Sequence, residues 1–206
     1  MNRIFVPLLP VLVLLAAPMA AVADTLAGMW SSTTRTRGGL AAQWVFAPNG
    51  VATRTFGALV DYRYGIQGAR LSLTELDETH APTSKVTTQD FTLLGDTLTM
   101  NPARPEGRQL MKRVGQPFPG THPIVGEWSF KHYSGGIAYM RFGRSGLVQL
   151  SIPFETASGT WATEGAKLTT RLKDGKPVSG PWRIEKGFLH FREDGEKEGK
   201  YRRFEY

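Results

Sequence analysis

The stretch Leu26-Ala-Gly-Met-Trp30 returns in the second half of the chain as Ile124-Val-Gly-Glu-Trp128. Further landmarks recur after it in the same order: Gly38-Gly39-Leu40 with Gly135-Gly136-Ile137, Phe46 and Gly50 with Phe142 and Gly146, Tyr64, Gly68 and Leu71 with Trp161, Gly165 and Leu168, Phe91 and Leu98 with Trp182 and Leu189, and Arg113 with Arg203. Ordered recurrence of this kind indicates an internal duplication.

A segment that breaks both strands and helices separates the two copies. It runs from Gly115 to Pro123 and contains three prolines and two glycines. We therefore expect a first β-domain over residues 24–114, a linker over residues 115–123 and a second β-domain over residues 124–206.

Alternating apolar and polar residues predict the secondary structure. Val148, Leu150 and Ile152 alternate with Gln149 and Ser151 directly after a glycine turn. This pattern is typical of half-buried antiparallel strands, and no segment after the N-terminal apolar run shows a helical period. About eight short strands per copy could close into a barrel without exposed edges. We predict an all-β fold of two tandem small antiparallel meander β-barrels, with one larger sheet or barrel shared by both copies as the alternative.

The Gly-x-Trp opening, the meander and the late arginine of each copy resemble the lipocalin-like, or calycin, β-barrels. The resemblance implies that the opening tryptophan plugs the closed end of a barrel and that the arginine stacks over it. By position it gives these structural roles to Trp30 with Arg113, and to Trp128 with Arg203. It also implies that a barrel encloses a small ligand.

The N-terminus has the pattern of a secretory signal peptide. Arg3 precedes an apolar run from Ile4 to Ala17, and Ala21-Val22-Ala23 provides a small-residue cleavage site. An uncleaved membrane anchor is the alternative, but Pro7, Pro10 and Pro18 interrupt the whole stretch from Ile4 to Ala23. We expect cleavage after Ala23, which removes residues 1–23 and leaves a periplasmic or secreted protein without an integral membrane segment.

The composition and the absence of known motifs exclude several kinds of functional site. The chain has no cysteine, which excludes disulfides, thiol nucleophiles and cysteine metal sites. The net charge is +7, but the basic residues are scattered, so we expect no nucleic-acid partner. The four histidines lack metal-ligand spacing, and no nucleophile elbow or phosphate-binding loop is present. We therefore expect no metal and no cofactor, and we favour a non-catalytic protein, with an enzyme as the least favoured class.

The repeat itself points to a candidate ligand site. Arg54 stands where the second copy has Leu150, and Glu75 stands where it has Leu172. A charge on an inward-facing position needs a partner, because an unpaired buried charge is costly. With Tyr62 and Tyr64 on the strand between them, we expect Arg54, Tyr62, Tyr64 and Glu75 to bind a small polar or amphipathic ligand inside the first barrel. The alternative is a module with filled barrels whose outer surface binds an envelope or secreted protein.

Overall fold

A computed structural model describes residues 26–173, 175–192 and 197–206. The predicted signal peptide and its cleavage site lie outside the described residues. Within them no helix is long and apolar enough to cross a membrane. The described residues form a short 3-10 helix at Pro105–Gly107 and fourteen strands: β1 (Gly28–Ser32), β2 (Leu40–Phe46), β3 (Val51–Gln67), β4 (Arg70–Leu76), β5 (Pro82–Leu94), β6 (Thr97–Met100), β7 (Gln109–Val114), β8 (Gly126–Lys131), β9 (Ile137–Phe142), β10 (Leu147–Glu164), β11 (Lys167–Leu172), β12 (Val178–Glu185), β13 (Phe188–Phe191) and β14 (Gly199–Phe204).

The strands form one closed antiparallel sheet. Each strand pairs with its neighbours in sequence, and β14 returns to pair with β1. This confirms the all-β class, and the alternative of one larger sheet shared by both copies fits the structure. Closure gives every strand of the described residues a partner on both sides, which protects strand edges that would otherwise be open to aggregation.

Two long strands divide the closed sheet into two rings. β3 and β10 have 17 and 18 residues, and they pair with each other along most of their length. The first part of β3 pairs with β2 and its last part with β4, while β10 pairs first with β9 and then with β11. Ring A contains eight strand segments: β1, β2, residues 51–58 of β3, residues 155–164 of β10 and β11–β14. Ring B contains residues 59–67 of β3, β4–β9 and residues 147–153 of β10.

Each ring therefore contains strands from both sequence repeats. The first copy supplies three strand segments to ring A and five to ring B, and the second copy does the reverse. The two copies exchange segments as the subunits of a domain-swapped dimer do, but within one chain. The exchange occurs because β3 and β10 continue straight from one ring into the other.

Each ring encloses its own hydrophobic core. The core of ring A is rich in tryptophan: Leu26, Trp30, Trp44, Phe46, Ala52, Trp161, Leu168, Trp182, Leu189 and Phe191. The core of ring B is aliphatic and rich in methionine: Leu71, Leu73, Phe91, Leu98, Met100, Met111, Ile124, Trp128, Met140, Phe142 and Val148. Each of these side chains is at most 9% exposed. The ring interiors are therefore packed with side chains, as expected of narrow barrels.

Candidate functional site

A buried tryptophan is held in the same way in each ring. The Trp30 indole donates to the Leu26 carbonyl, and the Trp128 indole donates to the Ile124 carbonyl, both at 2.8 Å. An arginine covers each indole. The Arg203 Cζ lies 5.3 Å from the Trp30 ring centroid, and the Arg113 Cζ lies 4.2 Å from the Trp128 ring centroid. Each tryptophan is thus held by a hydrogen bond and a cation–π contact.

These pairs correct the assignment expected from the sequence, which placed Arg113 on Trp30 and Arg203 on Trp128. In the structure β14 pairs with β1, which puts Arg203 opposite Trp30. β7 likewise pairs with β8, which puts Arg113 opposite Trp128. Both rings contain a tryptophan–arginine pair. In each pair the tryptophan comes from one repeat and the arginine from the other, because the repeats exchange strands.

The glycine of each Gly-x-Trp motif makes room for the arginine. Gly28 and Gly126 have φ values of 138° and 135°, a conformation that favours glycine. A Cβ on Gly28 would lie 3.1 Å from the Arg203 guanidinium, and one on Gly126 would lie 3.0 Å from Arg113 Nη1. The glycine is therefore needed for two reasons: it allows the positive φ, and it leaves space for the arginine side chain.

The four predicted ligand-site residues do not share one ring. Arg54 faces the interior of ring A, where it lies opposite Trp44 in the β2–β3 register. Tyr62 and Tyr64 pack against the core of ring B, and Glu75 lies opposite Tyr62. The expected contact between Arg54 and Glu75 is therefore not formed, because β3 leaves ring A before it reaches the tyrosines. Ligand binding at each of the four residues stays a prediction.

Two of the three ring B members already have polar partners. Glu75 Oε1 accepts from Lys85 Nζ at 3.0 Å, with both side chains in contact with solvent. The Tyr64 hydroxyl donates to the Gly143 carbonyl at 3.0 Å. Burial raises the pKa of both tyrosines, and the Glu75 charge raises the pKa of Tyr62 further. These groups therefore act as neutral hydroxyls next to a solvated ion pair.

Arg54 is different, because no acidic side chain among the described residues pairs with it. Its Cζ lies 5.9 Å from the ring centroid of Trp44, and its Nε is buried without a hydrogen-bond acceptor. The indole nitrogens of Trp44 and Trp182, in the same ring, are also buried without acceptors. The residue as a whole is half-buried, so part of it still reaches solvent. Within the described residues, ring A thus holds an inward-facing cation and unpaired donors without a counter-charge.

A buried cluster of hydrogen-bonded side chains holds the outer faces of the two rings together. We call this cluster the polar joint; it contains Arg35, Gln43, Asp61, His80 and Gln149. Gln149 Nε2 donates to Asp61 Oδ1 at 2.9 Å, and Gln43 Nε2 donates to Gln149 Oε1 at 2.6 Å. The other Asp61 oxygen pairs with Arg35 and, at 3.0 Å, with His80 Nε2. Burial by itself raises the pKa of Asp61, but the bond to His80, the Arg35 charge and Gln149 together lower it below 3.8. Asp61 is thus a buried carboxylate whose charge is fully compensated.

Sequence reasoning missed this joint. Its members lie far apart in the chain, and polar residues on the outward phase of a strand normally face water. One signal was present: Met29 and Val45 are apolar residues on that same outward phase, which indicates that the outer face of β1 and β2 is partly covered.

Comparisons of the chain with protein-family models, with curated proteins and with solved structures found no match. Its function must therefore be inferred from its own residues. Within the described part of the chain, no three histidine, aspartate or glutamate side chains converge as metal ligands would.

Proposed function

We propose that this chain is an exported, non-catalytic binding protein that holds a small molecule with an anionic group at Arg54 in ring A. The proposal rests on one observation. Arg54 is an inward-facing arginine with a buried Nε and no acidic partner among the described residues. A ligand carboxylate or phosphate would supply the missing acceptor, because a guanidinium binds such groups through paired hydrogen bonds.

The repeat supports a functional reason for this arginine. Leu150 occupies the corresponding position of the second copy and packs in ring B as a half-buried apolar side chain. The fold therefore does not need a cation there. Keeping a partly desolvated charge in ring A costs stability, and such costs are typical of binding sites.

The ligand fits at the rim rather than deep in the ring. Core side chains fill the interior of ring A, and Trp44 beneath Arg54 is only 1% exposed. The ligand's charged group would therefore approach the exposed part of Arg54 from solvent. Export through the predicted signal peptide would bring the protein to the periplasm or the extracellular medium, where it would meet such ligands.

The variant Arg54→Leu tests this function, because it installs the residue that ring B already has. We expect native mass spectrometry of the wild-type protein, purified from its host compartment, to detect a bound acid that Arg54→Leu lacks. The melting temperature of the variant should be unchanged or higher, since an unpaired cation is replaced by an apolar side chain.

Arg63→Leu is the matched control, since Arg63 is exposed on the same strand and should retain the ligand. Clear destabilisation by Arg54→Leu would make the arginine structural, and retention of the acid by that variant would also contradict the proposal.

A second candidate function is binding of an envelope or secreted protein partner. Three large apolar side chains support it: Tyr133, Ile137 and Phe154 are 96%, 51% and 65% exposed. Exposed apolar patches often mark interaction sites. A protein that co-purifies with the wild type but not with Tyr133→Ser or Phe154→Ser would favour this function over small-molecule binding.

A further inference from the structure

The two rings leave a cleft between their outer faces. The outer side of β1 and β2 forms one wall, with Met29, Gln43 and Val45, and the outer side of β8 and β9 forms the other. The cavity has a volume of about 530 Å³. Ligand pockets commonly measure about 300–1,000 Å³, so the cleft can hold a small molecule.

The cleft is charge-balanced, unlike the site at Arg54. Its two charged residues are Arg141 and Glu127, which pair with each other at 2.5 Å from Nε to Oε2. The Tyr206 hydroxyl also donates to Glu127, at 3.1 Å, and burial raises the pKa of that hydroxyl and keeps it protonated. Because these two charges compensate each other, the cleft does not require a charged ligand.

One strong donor of the cleft has no acceptor. Arg141 is only 6% exposed, and its Nη1 is buried without a hydrogen-bond partner among the described residues. An unsatisfied buried donor costs free energy, and a neutral oxygen placed beside it would remove that cost after a small shift of the side chain.

The remaining polar lining consists of neutral hydroxyl and amide groups. Thr55 pairs with Thr156 at 3.4 Å, and Thr53 pairs with Ser158 at 3.0 Å, both within the β3–β10 ribbon. Each such hydroxyl has one donor and two acceptor sites, so these pairs leave capacity for a ligand. Tyr139, on β9, adds a half-buried phenol ring to the same cavity.

We infer that this cleft binds an uncharged, hydroxyl-rich molecule, specifically a short saccharide. The threonine hydroxyls would bond to sugar hydroxyls, and Arg141 Nη1 would donate to one of them. Met29 and Val45 would contact the apolar C–H faces of the sugar rings. The site is separate from Arg54 and does not depend on the function proposed for ring A.

Titration calorimetry with maltose, cellobiose and N,N′-diacetylchitobiose tests the inference on the full mature chain. We expect at least one of these disaccharides to bind with a dissociation constant of about 1 mM or lower. Thr55→Val and Thr156→Val should each weaken that binding by about fivefold to tenfold, because each removes one hydrogen bond and keeps the side-chain shape.

Thr99→Val is the matched control, since Thr99 lies on β6, outside the cleft, and its replacement should leave binding unchanged. Binding by Arg54→Leu should equal that of the wild type, which separates this site from ring A. Absence of binding by all three sugars, or wild-type affinity in both cleft variants, would overturn the inference. Displacement of the sugar by acetate or phosphate would also overturn it, since the cleft would then be an anion site.

Discussion

At the scale of single residues, each ring depends on one tryptophan and one arginine that meet across neighbouring strands. The two sites repeat each other closely, down to the indole hydrogen bond to a carbonyl four residues earlier. Arg203 also donates to the Ala27 carbonyl, and Arg113 donates to the Val125 carbonyl at 3.1 Å. Each arginine therefore ties the last strand of one repeat to the start of the other repeat.

A double-mutant cycle at Trp128 tests which arginine belongs to it. Trp128→Ala should lower the free energy of unfolding by about 3–5 kcal/mol, because it leaves a cavity in ring B. Combined with Arg113→Ala, it should show a coupling energy of about 1–2 kcal/mol, the range of a buried cation–π contact. The measurement is urea unfolding of the single and double variants.

The control cycle combines Trp128→Ala with Arg203→Ala, whose effects should add within about 0.5 kcal/mol. Coupling to Arg203 instead of Arg113 would mean that each ring closes within one repeat.

The buried carboxylate of the polar joint makes stability depend on pH. The pKa of Asp61 is lowered in the folded protein, so its ionised form stabilises the fold above pH 3.8, and this contribution is lost as the pH falls through the lower folded value. We expect Asp61→Asn to lose about 3 kcal/mol at neutral pH, because Arg35 is left with an uncompensated charge. The variant should also lose less stability on acidification than the wild type.

Chemical denaturation at several pH values measures both effects. Asp90→Asn is the control, because Asp90 is 62% exposed and its pair with Arg70 is worth at most about 1 kcal/mol. Equal acid sensitivity in the wild type and Asp61→Asn would show that the joint does not carry this pH dependence.

At the scale of elements, the β3–β10 ribbon is the feature that joins the rings. Its register shifts between Pro153 and Glu155, where β10 has one extra residue. Such a bulge bends a strand and increases its local twist. The bulge lies next to the point where both strands pass from one ring to the other, opposite Gly57 and Phe56. The ribbon can therefore serve two separate cores, because its strands stay paired on both sides of the bulge.

Gly57 is one of the positions where the ribbon has no room for a side chain. A Cβ there would lie 2.2 Å from the Ile152 carbonyl oxygen, which is closer than atoms can approach without a backbone shift. We expect Gly57→Ala to lower the free energy of unfolding by roughly 2–4 kcal/mol.

Gly136→Ala is the control, since a Cβ at that position would meet no other atom of the described residues within 4 Å. This variant should change stability by less than about 1 kcal/mol. Equal stability of Gly57→Ala and the wild type in urea would mean that the strands cross less closely than described.

At the scale of the whole molecule, the exchange of segments makes the two repeats depend on each other. Neither copy alone contains the eight strand segments of a ring, and neither contains both members of a tryptophan–arginine pair. Two separate small barrels, the arrangement predicted from the sequence, would each be able to fold alone. The structure changes that expectation, because an isolated copy would expose the interior face and the edges of its long strand.

Separate expression of residues 24–114 and 124–206 tests this dependence. Each fragment alone should be unfolded or form a homodimer that imitates the missing copy, and co-expression should give a stable one-to-one complex. Size-exclusion chromatography with circular dichroism distinguishes these states. A folded monomer from either fragment would contradict the exchanged arrangement.

How far the sequence predicts this protein differs from one feature to the next. Apolar alternation and glycine turns predicted the all-β class, because each strand carries its own pattern of burial. The Gly-x-Trp motifs and late arginines predicted that a tryptophan and an arginine meet in each half of the molecule, and the structure contains two such pairs with exchanged partners. Arg54 was predicted to face inward, and it does, since a residue's face follows from its position in the strand. Glu75 was predicted to share a site with Arg54, but it lies in the other ring. This contact could not be predicted from the strand pattern, because it depends on β3 passing from ring A into ring B between the two positions.

The residue pattern alone was enough to predict that the chain folds into antiparallel strands and that its pattern occurs twice. It also showed that each copy has a Gly-x-Trp opening and a late arginine. Which arginine meets which tryptophan, and which strands share a core, became visible only in three dimensions. The physical reason is that the two copies have nearly the same pattern. A ring built from one copy and a ring built from segments of both copies would contain the same local contacts. The choice is made where β3 and β10 continue without a turn past Gly57 and Pro153, and where outward-facing polar side chains find partners on the other ring.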